Sequence, residues 1–205
     1  MSKVNIDQLY LETAKLLLSI MSSSGNKNSV ATLGFFISLL KQGKLIDSLD
    51  LDSYKTAYDL ELELDEFNRI KLSEVCVIML TSFTILNIVR TINSISDLDH
   101  AKLYEAIIKN YFSEERSNYD FFQPNEVTHF ITSLIKTKEF KSIYNPFAGI
   151  ASYQIDNASA NYYSQEINKD AWIIGKIRLL LNNINSELMC ENSLELWKGD
   201  IHNFD

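Results

Sequence analysis

The stretch Ser142-Ile143-Tyr144-Asn145-Pro146-Phe147-Ala148-Gly149-Ile150-Ala151-Ser152 decides how this 205-residue chain is read. Ser142 to Asn145 suits a short strand, and small residues follow it directly. Gly149, with Ala148, Ala151 and Ser152 beside it, predicts a turn of little side-chain bulk where backbone approaches a ligand closely. Backbone N–H groups opening the next helix favour an anionic group such as a carboxylate. Beyond it, at the end of a second candidate strand (162–165), stands Glu166. An acidic residue there is placed to accept two ribose hydroxyls, as in nucleotide-binding α/β folds. The spacing suits that role, but glycine is scarce. These residues alone leave a nucleoside-type ligand and a plain strand-turn-helix both open.

A third candidate strand covers 187–190, and 170–181 carries Trp172, Ile173, Ile177, Leu180 and Leu181 at helical spacing. Strand, turn, helix, strand, helix, strand is the opening of a doubly wound sheet, and three strands do not complete one. Upstream, Pro124 stands where a first-turn proline belongs, and Val127, Phe130, Ile131, Leu134 and Ile135 predict the apolar face of a helix. The polar, charged segment 113–120 reads as a linker between residues 1–112 and 113–205. The first part reads as helices with polar breaks. Ile6, Leu9, Tyr10, Ala14, Leu17, Leu18 and Met21 recur at helical steps, and a second apolar block (30–40) closes at Gly43. The acidic stretch 47–65 is ambiguous, a longer helix is predicted over about 64–92, and Asp97 is expected to cap a helix carrying Leu103, Ile107 and Tyr111.

Composition narrows the classes. A formal net charge of −8 argues against a bare nucleic-acid-binding module, which needs a basic face. It leaves room for a piece of a larger DNA enzyme whose basic surface lies elsewhere. Six glycines and two prolines exclude collagen-like and Pro-rich classes and disfavour an all-β fold. Cys76 and Cys190 sit far apart in apolar runs, which predicts buried, reduced thiols and a cytoplasmic setting. No Cys/His cluster has zinc-site spacing, and His100, His129 and His202 are scattered without cysteine or carboxylate partners at ligand spacing, so no metal ligands are assigned. The most apolar run is too short to span a bilayer, so no membrane partner is expected.

Phe121-Phe122-Gln123-Pro124, then Asn145-Pro146-Phe147-Ala148-Gly149, then Gln165-Glu166-Ile167-Asn168 resemble, in order and spacing, the motifs of N-6 adenine DNA methylases. The likeness is greatest to the modification subunit of type I restriction-modification systems and covers about residues 120–192. It implies an α/β fold with an all-α leader: a helical N-terminal domain, 1–112, followed by the truncated first part of a Rossmann-like methyltransferase sheet, 113–205. It also implies S-adenosyl-L-methionine as cofactor. In that family the aromatic segment closes over the cofactor, the Asn-Pro-x-x-Gly turn holds its methionine end, and the acid after the second strand binds its ribose. Carried onto this sequence, the cofactor-binding positions are Phe121, Phe122, Gln123, Pro124, Asn145, Pro146, Phe147, Gly149, Ile150, Ala151, Ser152, Glu166, Ile167 and Asn192.

The departures from the family pattern are informative. Asn145 replaces the usual Asp, and Ala151 and Ser152 replace later glycines, which predicts weaker cofactor binding. Where the family has Gly-Asp after the third strand, this chain has Glu191-Asn192, so Asn192 is expected to accept from the cofactor's adenine amine, ahead of Asp200. The Asn-Pro-Pro-aromatic tetrapeptide that holds the flipped adenine is absent, since the only prolines are Pro124 and Pro146. Phe204 is expected to open a fourth strand. The chain is therefore expected to be the N-terminal fragment of an adenine-specific DNA methyltransferase. It would hold the cofactor half-site and no catalytic residues, and would be inactive alone. Expected partners are DNA, mainly through other regions, and specificity and restriction subunits. A non-catalytic helical interaction protein with a degenerate nucleotide-binding-like fold is the other class left open.

Overall fold

The computed structural model describes residues 5–25, 28–44, 60–65, 68–76, 80–114, 123–138, 140–195 and 204. The chain divides into two compact units, Met1–Ser117 and Asn118–Asp205.

In the first unit, α1 (Ile6–Ser23) starts at Asn5, whose side chain accepts from the Asp7 N–H at 3.2 Å. It buries Tyr10, Ala14, Leu17 and Met21. Helix α2 (Ser29–Lys41) is buried from Ser29 through Leu39, as befits a helix apolar on nearly all sides. It closes where Gly43 adopts φ +67°, and the Gly43 and Lys44 N–H groups return to the Leu40 and Leu39 carbonyls. Both helices pack on α5 (His100–Glu114). The approach of α2 to α5 depends on Gly34: a Cβ there would sit 2.5 Å from the Tyr104 ring.

Two expectations for this unit are corrected. The leader is not all-α, and no continuous helix covers 64–92. Instead β1 (Glu61–Glu63) pairs antiparallel with β2 (Arg69–Lys71), followed by α3 (Leu72–Val75) and α4 (Ser82–Asn93). Glu-Leu-Glu and Arg-Ile-Lys each alternate, so Leu62 and Ile70 are buried while Lys71 reaches Glu61 across the pair at 3.0 Å. Period-two patterning over three residues on each side prevails over the longer helical reading. Asp65 accepts from the Asn68 N–H at 2.7 Å, and Thr81 starts α4 by accepting from the Thr84 N–H. The cap of α5 is also displaced. Asp97 takes φ +52°, and it is Asp99 that accepts from the Lys102 N–H, while donating its own N–H to the Tyr10 hydroxyl at 2.9 Å.

In the second unit, β3 (Ser142–Asn145), β4 (Asn161–Gln165) and β5 (Glu187–Met189) form a parallel sheet in the order β3-β4-β5. Asn145 lies opposite Ser164, and Gln165 opposite Met189. The connections carry α7 (Ser152–Asp156) and α8 (Lys169–Leu181). Helix α8 is buried from Ala171 through Leu179, and its Trp172 donates Nε1–H to the Leu188 carbonyl at 2.9 Å. Gln154 of α7 donates to Ser164 of β4 at 2.7 Å. Phe204 stacks on Tyr144 with ring centres 5.3 Å apart; residues 201–203 lie outside the described set.

Helix α6 (Asn125–Lys136) forms where its apolar spacing predicts a helix, with Ile131 and Ile135 half-buried, but it also turns polar residues inward. Thr128 and Thr132 are its buried residues, whereas Val127, Phe130 and Leu134 are exposed. The polar face is drawn inward by Asp156 at the end of α7. Asp156 is hydrogen-bonded by the Thr132 hydroxyl and by His129 Nδ1 at 3.3 Å, while Lys136 Nζ lies 3.8 Å from its carboxylate and donates to its carbonyl at 2.9 Å. Pro124 also lies one position earlier than predicted, at the cap itself, where its carbonyl accepts from Val127 and Thr128.

Replacing Gly34 by Ala must push Tyr104 aside, so Gly34→Ala is expected to destabilise the first unit by about 1–3 kcal/mol in urea unfolding. Burial of Asp156 pushes its pKa up, but the bonds from Thr132 and His129 and the Lys136 charge outweigh that and hold it below its ordinary 3.8. A depressed carboxylate pKa stabilises the fold above the ordinary value, and that contribution is lost as pH falls through the folded value. Asp156→Asn is therefore expected to lower the melting temperature near neutral pH. In melts run from about pH 7 to about pH 3, the gap to the parent should close below the ordinary Asp value.

Candidate functional site

Three loops meet at the carboxyl edge of the parallel sheet, the position where open α/β sheets bind ligands. The first leaves β3 through Asn145, whose Oδ1 accepts from the Phe147 N–H at 3.2 Å. The Ala148 N–H donates to the Gln165 carbonyl, closing the turn onto β4. Gly149 and Ala151 both take left-handed backbone, φ +55° and +62°. The Ala151 value carries a steric cost for an L side chain. It is sustained by packing, because Ala151 is completely buried against α8, where Gly175 leaves room for Ile150 and Ala151.

Glu166 holds this turn. It is only 9 % exposed, its Oε2 accepts from the Gly149 N–H at 2.7 Å, and its Oε1 accepts from the Asn168 N–H at 2.8 Å. Its own N–H donates to Met189 in β5. Asn168 in turn caps α8, its Oδ1 accepting from Asp170 and Ala171. Each carboxylate oxygen keeps lone-pair capacity for a further donor beyond its backbone bond.

Arg178, in the last turns of α8, is 5 % exposed and donates to the Ile150 carbonyl at 2.7 Å and to Ser152 Oγ at 3.2 Å. A full positive charge thus lies beneath the 150–152 turn. Gln165 is fully buried, accepts from the Tyr144 hydroxyl and donates to Glu191 Oε2 at 3.3 Å. Neither Arg178 nor Gln165 was assigned a role from sequence. An arginine in the middle of an apolar helical run was the available signal for the first. Phe147, Ile167 and Leu194, one on each loop, are exposed large apolar residues at this edge (72 %, 69 % and 87 %).

Of the residues predicted from sequence, Asn145, Phe147, Gly149, Ile150, Ala151, Ser152 and Glu166 come together on or against the first turn, with Pro146 between them. Ile167 follows Glu166 on the second loop. Asn192 stands on the third, where its Oδ1 accepts from the Leu194 N–H at 3.1 Å and so shapes its own loop. Gln123 and Pro124 precede α6, and among the described residues no hydrogen bond joins Gln123 to the turn. Phe121, Phe122 and Asp200 lie outside the described residues. Cys190, predicted buried, is exposed. Partial desolvation of its sulfur holds the thiol pKa above its ordinary value, opposed by Lys169 and joined by Glu166 and Glu191. Among the described residues no group of three His, Cys, Asp or Glu side chains is placed to hold a metal ion. None of the described helices is long and apolar enough to cross a membrane.

Comparison with known proteins places this geometry. The chain superposes on the methyltransferase subunit of a type I restriction-modification system from Streptococcus thermophilus with a TM-score of 0.62, at 13 % identity over 97 % of this chain and 62 % of that one. It superposes on the modification subunit of a protein described as a type I restriction enzyme from Vibrio vulnificus YJ016 with a TM-score of 0.57, at 13 % identity over 95 % of this chain and 57 % of that one. The chain thus spans about three-fifths of the length of these two structures and shares their fold. A search of curated protein sequences found no match. The sequence profile of the N-6 DNA Methylase family matches residues 96–204, more than half of the chain, and runs through the whole β3-β4-β5 sheet and its three loops. This chain belongs to the N-6 DNA methylase family.

Proposed function

We propose that the carboxyl edge of the β3-β4-β5 sheet binds S-adenosyl-L-methionine, and that the chain serves an adenine-specific DNA methyltransferase of a type I restriction-modification system. The observation that carries this reading is the buried Glu166 carboxylate between the Gly149 turn and the α8 cap. A carboxylate on the second strand of a parallel sheet, with acceptor capacity to spare, suits a pair of ribose hydroxyls. The rest of the edge fits the same ligand. Ile167 and Leu194 offer apolar surface for an adenine ring, and the turn over Arg178 offers backbone N–H groups and positive potential for the amino-acid end. The sheet order and carboxyl-edge loops agree with the opening of a Rossmann-like domain. In this reading the domain division lies near residue 112.

The cofactor supplies a methyl group on a sulfonium, ready for direct displacement. What the chain's own residues would do is bind and orient: Glu166 would hold the ribose, and the 146–152 turn would hold the amino-acid end. Alignment of the reacting groups is the main catalytic contribution open to such a site. Holding the target adenine needs an Asn-Pro-Pro-aromatic element, and the two prolines of this sequence, Pro124 and Pro146, belong to other motifs. This chain alone is accordingly expected to bind cofactor without methylating DNA. With its net charge of −8, DNA is met through other regions of the assembly, together with specificity and restriction subunits.

Isothermal titration of S-adenosylmethionine into the full chain tests the reading. Glu166→Gln removes a charge-assisted acceptor worth roughly 1.5–3 kcal/mol, so affinity is expected to fall about 10- to 100-fold. No heat from the parent chain, or equal affinity in the variant, would overturn it. Gly175→Ala probes the turn from below. Its Cβ would lie 2.9 Å from Leu188 Cδ2 and 3.3 Å from the Ile150 carbonyl carbon, so the turn must shift. Affinity is expected to drop although residue 175 faces the protein interior; an unchanged affinity with an unchanged melting temperature would refute the proposed turn geometry.

A further inference from the structure

We propose that Glu191 makes the carboxyl edge favour the sulfonium cation of S-adenosylmethionine over the neutral thioether left after methyl transfer, with Gln165 as its positioning residue. The inference rests on the cofactor reading above and goes beyond it to the charge state that the edge selects. Glu191 follows β5 on the third loop and is half-buried. Its Oε2 accepts from Gln165 Nε2 at 3.3 Å. Gln165 closes β4 and is fully buried, and its Oε1 accepts from the Tyr144 hydroxyl. The opposite amide orientation is disfavoured, because it would set Oε1 against the Glu191 carboxylate, acceptor against acceptor. A buried, fixed donor thus holds this carboxylate at the end of the sheet, across from the strand that carries Glu166.

Charge distinguishes the two nucleosides. In methyl transfer the S–C electron pair stays on sulfur while the methyl passes to the target amine, whose proton goes to solvent. A sulfonium cation becomes an uncharged thioether. The amino-acid end and the ribose are the same before and after, so contacts to them cancel when the two compounds are compared. Among the described residues neither Glu166 nor Glu191 forms an ion pair. The Cys190 thiol feels both carboxylates, with Lys169 opposing them, so the second and third loops share one field. A carboxylate held in place at a half-buried position is screened less than one free in solvent, and its attraction for a cation is correspondingly larger. This charge is an addition to the family pattern, which has glycine at the position of Glu191.

The test is isothermal titration of the full chain, and of Glu191→Gln, with S-adenosylmethionine and with S-adenosylhomocysteine. The variant keeps an acceptor for Gln165 and loses only the charge. Its ratio of affinities, S-adenosylmethionine over S-adenosylhomocysteine, is expected to fall about three- to tenfold, as for one unit charge at a partly screened edge. The loss should come from S-adenosylmethionine, with the thioether bound nearly as before. Gln165→Met, which releases the carboxylate into solvent, is expected to lower the ratio in the same direction. Glu195→Gln removes a charge from the exposed part of the same loop and is expected to leave the ratio alone. An unchanged ratio in Glu191→Gln or in folded Gln165→Met, or an equal fall in Glu195→Gln, overturns the inference and leaves the cofactor reading standing. Failure of the parent to bind either compound overturns both.

Discussion

The Glu166 carboxylate lies between two backbone N–H groups, one from the turn after β3 and one from the cap of α8, while its own N–H is given to β5. The turn after β3 and the cap of α8, which the sheet ladder does not join, are tied to β5 at one residue. A buried carboxylate must be well supplied with donors, and here backbone supplies them. The same bonds set the turn in its left-handed form, with Gly149 at φ +55° and Ala151 at φ +62°. Arg178 completes the support from the helix beneath. This carboxyl edge is thus formed by backbone geometry that a single side chain locks.

The legible part of this architecture was its periodic part. The strands at 142–145, 162–165 and 187–190 and the helix at 170–181 appear at nearly those bounds, because alternating or helical apolar spacing followed by small residues has few competing solutions. The turn residues around Gly149 and the distant Glu166 were readable for a similar reason: a strand end, a turn and a second strand end at fixed spacing converge on one edge. Contacts reaching across the chain were not readable. Nothing local announces that Gln165 spans Tyr144 and Glu191, or that Arg178 reaches back to Ile150.

The misreadings have physical causes as well. In α6 the apolar spacing was real, but tertiary hydrogen bonding to Asp156 claimed the opposite face, leaving Phe130 and Leu134 outward. In the first unit, two three-residue alternations too short to stand out built a hairpin whose first strand lies in the stretch left ambiguous and whose second lies in the segment read as helix. Cys190 was judged by its apolar neighbours in sequence, and the end of a short strand exposes it.

The parallel order β3-β4-β5 has a consequence for how the second unit is assembled as it is synthesised. Antiparallel neighbours such as β1 and β2 pair as soon as their short connection is made, but each parallel neighbour waits for a whole crossover helix to emerge. Strand β3 leaves the ribosome with nothing to pair with, and the carboxylate that clasps its turn arrives only after β4 is complete. Such non-local pairing makes for slow folding and prolonged exposure of strand edges. The carboxyl edge of the sheet therefore stays unformed until its second and third strands have emerged.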